Sequence, residues 1–301
     1  MAVNESPHSS HARPRLLPHR SPTRTRRSSR ALAPLRVAVW AVVAANIALL
    51  IWVILTSLKD TREVFEHPWR LPTSPTLENF RNAWEVGNFG TATLNSVLVT
   101  LVSAALGVAI AAPAAYALSR PGSRAGRPLT LFFALGIGVP TQVIVLPVFL
   151  MLNQIGLTDS LPGLTLAYVG TSMPFAVFLL TAFFRSLPGE LEEAAALDGA
   201  GTWTTFVRIM LPLARSGLVT AFVLQAIFTW NETMLALVLL QSTDKQTLPL
   251  ALLGFVQQQQ FTGTNWGGIF AGVCIVVLPM LALFSWLGRR ITEGLTVGAG
   301  K

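Results

Sequence analysis

The sequence predicts an all-α membrane protein with six transmembrane helices and both termini in the cytoplasm. Three observations carry that prediction. Of 301 residues, 52% are hydrophobic and 12% charged, with a mean hydropathy of +0.56; a soluble domain holds about a quarter charged residues. Apolar runs recur near 37–55, 93–118, 129–152, 162–184, 217–240 and 266–288. Each is close to the ~20 residues that cross a bilayer as a helix. Finally, 17 of the 22 Lys and Arg fall on the side of the termini, against Lys59, Arg62, Arg70, Arg81 and Lys245 on the other. The positive-inside rule then puts both ends and the segment 185–216 in the cytoplasm.

Residues 1–36 are rich in Ser, Pro and Arg and have no hydrophobic period. They read as a disordered basic cytoplasmic tail, a topological anchor near anionic lipid, ahead of a transmembrane domain over 37–301. The net charge of +8 is concentrated there, so no nucleic-acid partner is expected. Val37–Leu55 is nearly twice the length of a signal-peptide core and no small-residue cleavage site follows, which makes it a span rather than a secretory signal.

A polar segment over 56–92 follows. In the second span Ser96, Thr100, Ser103 and Gly107 share one face, and small residues at that spacing let helices pack closely in lipid. Arg120, Arg124 and Arg127 mark a short loop. The third span contains Pro140 and Pro147, the fourth Pro174 and the sixth Pro279; neighbouring helices make such prolines tolerable. In the fifth span Gln225, Thr229 and Glu232 form one polar stripe, and Glu232 is the one clearly ionisable residue deep in a span. A charge at mid-bilayer costs about 2.5–3.5 kcal/mol on insertion scales, so it faces a partner or a cavity. A hydrogen bond to another helix and a place in a translocation pathway both account for it. Trp230 lies on the opposite side and reads as core. Residues 241–265, with Gln257–Gln260, Phe261 and Asn265, are expected to form an external loop rich in donors and acceptors.

Several chemistries are excluded. The only cysteine is Cys274, and His8, His11, His19 and His67 all lie outside the spans. That leaves no disulfide framework, thiolate metal site or HExxH pair. There is no GxxxxGK[ST] to cradle a phosphate, so no metal, cofactor or catalytic residue is expected.

Segment 185–216 reads as a helix–turn–helix. Pro188 suits a first turn; Glu190, Glu192 and Glu193 put negative charge at a helix N-terminus; Ala194–Leu197 are strong helix formers. Gly199 and Gly201 permit a sharp stop. Thr202 is the expected N-cap of a second helix that Pro212 ends, with Phe206, Ile209 and Met210 on one face. Periodicity alone fits a hairpin resting on lipid headgroups equally well.

The residue order adds more. Glu193, Ala194, Ala195, Asp198, Gly199 and Ala200, followed by Phe206, Ile209, Leu211 and Pro212, resemble the EAA loop of ATP-binding-cassette (ABC) importer permeases. In that family the loop is a coupling helix that docks in a separate ATPase subunit. Ser57-Leu58-Lys59, Thr76–Phe80, Asn95-Ser96, Ala115–Arg120, Trp230-Asn231-Glu232 and Glu293–Lys301 are similar to the carbohydrate-uptake, maltose-type branch. The resemblance covers about 37–301. It implies a type I importer (MetI-like) fold in the cell membrane, forming half of a translocation pathway for a sugar or oligosaccharide. It implies as partners a second permease, two ATP-binding subunits and an extracytoplasmic solute-binding protein, toward which the 241–265 loop reaches. It also puts Gln225, Thr229, Asn231 and Glu232 along the pathway. An importer of the same architecture for another solute shares these features. A secondary transporter leaves 193–212 unexplained, and a membrane-embedded enzyme needs paired catalytic groups that a lone Glu232 does not supply.

Overall fold

The computed structural model describes residues 33–120, 126–263 and 265–299, with side chains as far as Ala282. Contacts divide the chain into two units, Met1–Leu50 and Ile51–Lys301. Helix α1 runs Ala33–Ser57, so the last four residues of the expected tail are helical; residues 1–32 lie outside the described ones. The α1 residues of the first unit are exposed, Val37, Trp40 and Ile47 among them. Lipid tails are as apolar as these side chains, so such a face is stable in a bilayer.

The described part of the second unit contains helices and no strand. The polar segment holds α2, Thr61–Glu66, and α3, Glu78–Val86. Asp60 caps α2 by accepting from the Glu63 N–H at 2.7 Å. Lys59 is 1% exposed, and its Nζ donates to the carbonyls of His67 at 2.9 Å and Pro68 at 3.2 Å. Asn79 Nδ2 donates to the carbonyls of Ser57 and Lys59. The polar residues at these positions thus fasten backbone that no helix satisfies.

Helix α4, Phe89–Ser119, has 31 residues and is about 46 Å long. Its small-residue face is buried against α7, Leu161–Ser186, and α10, Arg215–Asn231. The core there joins Ala111, Ala115 and Tyr116 to Leu180, Phe184, Phe206 and Met210. The outer face of α4 exposes Leu94, Leu98 and Leu101.

Two expected spans are broken. The third divides into α5, Gly126–Ile137, and α6, Thr141–Gln154, bent by 103°. Pro140 sits just before α6 and pushes the preceding residue out of helical geometry, while Pro113, Pro147, Pro174 and Pro279 stay inside helices. The fifth divides at Glu232 into α10 and α11, Met234–Leu239. Between α7 and α10 lie α8, Glu190–Leu197, and α9, Thr202–Leu213. By length and apolarity, α4, α7 and Pro34–Ser57 can each cross a membrane. The α5–α6 pair and the α9–α10 pair pass the same test together.

The expected external loop is largely a helix. Residues Leu248–Thr262 form α12, and α13 runs Trp266–Ala299. Leu248, Ala251 and Phe255 are buried against Phe89 and Ala92, and that burial orders the segment. Gln259 is 6% exposed and accepts from the Asn265 N–H, whereas Phe261 is 88% exposed.

One staple holds the loops at this end. Asp159, at φ 49°, accepts from the N–H groups of Gln241 and Ser242, from the Ser242 hydroxyl and from Lys245 Nζ at 2.9 Å. The Ser242 bonds, with Lys245 and Gln241, hold its carboxyl well below the usual carboxylate range. A depressed carboxylate stabilises the fold above its unfolded pKa and loses that contribution as pH falls through the folded one. Asp159→Asn is therefore expected to lower the melting temperature near neutrality, the gap to wild type narrowing below about pH 4. Coincident melting temperatures from pH 7 to pH 3 would show the staple to be unimportant, and a constant gap would show that its charge is.

Candidate functional site

A cavity of about 290 Å³ lies between α7, α10 and the α5–α6 elbow. Gln225, Thr229 and Glu232 all line it, so three of the four residues expected on a pathway come together. Asn231 does not: it is exposed, and its Nδ2 donates to the Ile227 carbonyl of its own helix.

The stripe is not carried by one continuous helix. At Glu232 the backbone turns extended, with φ −73° and ψ 126°. The Glu232 carboxylate then caps α11: Oε1 accepts from the N–H groups of Met234 at 2.8 Å and Leu235 at 3.0 Å. Oε2 accepts from the Tyr168 hydroxyl at 2.9 Å, which ties the break to α7. Oxygen accepting from a free helix N-terminus satisfies donors that the broken span leaves open. Gln225 is 2% exposed. Its Nε2 donates to the Ser103 carbonyl at 3.0 Å and to Ser172 Oγ at 2.6 Å. Gly107 makes the seat, since a Cβ there would stand 2.1 Å from that amide nitrogen. Trp230 is buried and donates to the Val276 carbonyl, in keeping with a core role.

The more accessible lining comes from residues that the polar pattern did not single out. Phe175 and Phe228 meet edge to face with centroids 5.7 Å apart, and Phe228 is 63% exposed. Thr171 and Ser172 add hydroxyls. An exposed Phe in a span ordinarily faces lipid, so only the position of Phe228, one turn from Gln225, carried any signal.

The hairpin has its expected two helices with altered ends. Helix α8 starts at Glu190 with Gly189 at its N-cap, leaving Pro188 outside the first turn. It ends in a left-handed glycine: Gly199 has φ +76°, and Ala200 N–H donates to Ala195 O at 2.9 Å. That is the geometry glycine favours after a helix. Gly201 has an ordinary φ of −71° and occupies the N-cap of α9 in place of Thr202. Pro212 does not end α9; a π turn spans Phe206–Met210, helix resumes over Leu211–Leu213, and the 74° bend follows at Ala214.

Phe206 and Met210 are buried and Ile209 half-buried against α4 and α7, and Ala195 is buried as well. Glu193, Ala194, Asp198 and Gly199 are exposed, and Ala200 half-buried. Leu211 is half-buried and Pro212 exposed. The hairpin also exposes Leu197 at 90% and Trp203 at 69%, two large apolar side chains outside the expected set. Among the described residues no three His, Cys, Asp or Glu gather where a metal ion could sit.

Apolar helices around a cavity that Gln225, Thr229 and Glu232 line, with an amphipathic hairpin between two of them, make up the body of a membrane transport subunit. Residues 105–296 match the family described as binding-protein-dependent transport system inner membrane component, and the chain belongs to that family. It is a permease, not an enzyme. It is 34% identical over 260 residues to the diacetylchitobiose uptake system permease protein NgcG of Streptomyces coelicolor, covering 86% of this chain and 85% of the relative. It is 36% identical over 278 residues to the trehalose transport system permease protein SugB of Mycobacterium tuberculosis, covering 88% and 98%. A chain in the crystal structure of a bacterial ABC transporter involved in the import of the acidic polysaccharide alginate superposes with a TM-score of 0.72 at 22% identity. That superposition covers 87% of this chain and 97% of the other, and it shows the fold.

Proposed function

We propose that the chain forms half of the translocation pathway of an ABC importer for a sugar or oligosaccharide, in the cell membrane, and is driven by separate ATPase subunits that dock on α8–α9. The observation that carries this is the hairpin itself: Glu193, Asp198, Leu197 and Trp203 are exposed together on a turn set by Gly199. A sugar cargo is supported by the names of the relatives and by a cavity pairing hydroxyls with two aromatic rings. In this reading the assembly holds a second permease, two ATP-binding subunits and an extracytoplasmic solute-binding protein. ATP is bound only by the partners. The permease pair then alternates between inward-open and outward-open arrangements by rigid-body motion. The direct experiment is uptake of labelled disaccharides into proteoliposomes bearing the full assembly. ATP-dependent, binding-protein-dependent uptake is expected; uptake that persists without the ATPase subunits would return the chain to a secondary transporter.

The six-span topology with cytoplasmic termini belongs to the same proposal. Cysteines at Ser74 and Gln257 are expected to react with an impermeant thiol reagent applied to intact cells, and one at Thr204 only after lysis. All three positions are exposed and Cys274 is buried, so accessibility reports sidedness. External labelling at Thr204 would invert the topology.

A further inference from the structure

We infer that Arg120 and Glu192 form a clasp that ties the coupling hairpin to α4. The hairpin's motion then reaches α4 directly, as well as α7 and α10, with which it is continuous. The inference rests on the coupling reading above. Arg120 Nη2 stands 2.6 Å from Glu192 Oε1, with the two side chains 20% and 23% exposed. The same guanidinium lies over the Tyr116 ring at 4.9 Å. Tyr116 in turn meets Phe206 at 5.0 Å and Phe184 at 5.6 Å. The end of α4 therefore holds both halves of the hairpin: Glu192 on α8 through charge, Phe206 on α9 through ring contact. Arg185, in the last turn of α7 just before the hairpin, ties α7 to the same end of α4, donating from Nη2 to the Leu118 carbonyl at 3.2 Å.

The location matters because of what the rest of α4 touches. Midway, its Ser103 carbonyl receives Gln225 of the cavity. Toward its start, Asn95 Nδ2 donates to the carbonyls of Asp244 and Gln246, and Ser96 Oγ accepts from the Leu248 N–H at 2.7 Å. One continuous helix thus joins the hairpin, the cavity wall and the loop before α12. Glu193, the neighbouring acid, is exposed and stays available to the ATPase. A pair so little exposed escapes much of the screening that weakens surface ion pairs.

The test uses the full assembly in proteoliposomes, with Arg120→Ala, Glu192→Ala and the double exchange Arg120→Glu/Glu192→Arg. Each single change is expected to lower uptake about tenfold, within the usual range of coupling between sites. Subunit composition and basal ATP hydrolysis are expected to stay at wild-type values. The exchange is expected to restore most of the uptake. Single variants that transport normally, that shed their ATPases, or that the exchange does not improve upon would overturn the clasp. A second measurement is independent of transport. In the isolated chain, limited proteolysis within 189–201 is expected to be faster in both alanine variants. Equal cutting rates overturn the clasp even if the transport reading fails on its own.

Discussion

Gly199→Leu is expected to abolish ATP-driven uptake while leaving the permease inserted in the membrane. The reasoning starts at the backbone. Gly199 has φ +76°, and a Cβ there meets nothing within 4 Å in this chain. The intrachain penalty is thus conformational strain of about 1–2 kcal/mol, without a clash. That is too little to unfold a hairpin whose second helix is anchored by the buried Phe206 and Met210. The larger effect lies outside the chain: the open space around Gly199 is the surface the proposal gives to the ATPase. Glu193→Lys acts at the same surface through charge. It reverses an exposed carboxylate in the first turn of α8, which the helix dipole disfavours by about 0.3–1 kcal/mol without any partner. Both variants are expected to lose ATPase subunits on co-purification. A Gly199→Leu protein that keeps its ATPases and takes up sugar at the normal rate would return the hairpin to a headgroup-resting role. Gly199→Ala and Gly199→Asn separate the two contributions. Asn tolerates a left-handed backbone better than Ala, so strain alone predicts Asn to be the milder change. Steric exclusion of a partner predicts the reverse.

The hairpin and the cavity were legible to different depths, and the reason is physical. The stop at Gly199 depends on near neighbours in sequence and stands where the pattern put it; Phe206, Ile209 and Met210 share a buried face as their spacing predicts, although what buries them is α4 and α7. Helical spacing accounts for Gln225 and Thr229 sharing the cavity, while Glu232 joins them from the extended residue just past the end of α10. Spacing does not account for the breaks. Pro113, Pro147, Pro174 and Pro279 stay inside helices, whereas Pro140 sits at the 103° bend; Gly136 and Gly138 just before it distinguish that site. At Glu232 no proline or glycine marks the break, because what stabilises it is Tyr168, 64 positions away. The helix over 248–262 carried a start signal, Pro249 in its first turn, but a run of four glutamines masked it. Its order comes from Phe89 and Ala92, which adjacency in sequence does not reveal. Arg120 and Glu192 are 72 positions apart and look like ordinary interfacial charges until α4 and α8 are brought together.

Glu232 separates packing from cargo contact, and the expected result is a graded one. Glu232→Gln should leave assembly and most of the transport intact. Its Oε1 still accepts from the N–H groups of Met234 and Leu235, and its amide can donate to the Tyr168 oxygen. Glu232→Leu removes every one of those bonds. The N–H groups of Met234 and Leu235 then lose their partner, and the Tyr168 hydroxyl, on a side chain 4% exposed, keeps only its longer contact of 3.3 Å to the backbone carbonyl of residue 232. Each buried polar group left unpaired costs about 1–3 kcal/mol, enough to reseal the break, detach it from α7, or both. Transport by Glu232→Leu is therefore expected to fall by an order of magnitude or more, a loss on the order of 1.4 kcal/mol per tenfold. Tyr168→Phe isolates the tie to α7: it leaves the cap on α11 and removes only the hydroxyl's contacts with Glu232 Oε2 and the Glu232 carbonyl. If Glu232 acts through position, Tyr168→Phe moves transport in the same direction as Glu232→Leu, by a smaller step and at all cargo concentrations. If the carboxylate instead touches cargo, Glu232→Gln changes the concentration dependence of uptake while Tyr168→Phe leaves it alone. The geometry favours the first outcome, because both carboxylate oxygens are already engaged by the protein. Wild-type transport by Glu232→Leu would mean that the break in the fifth span has no part in moving solute.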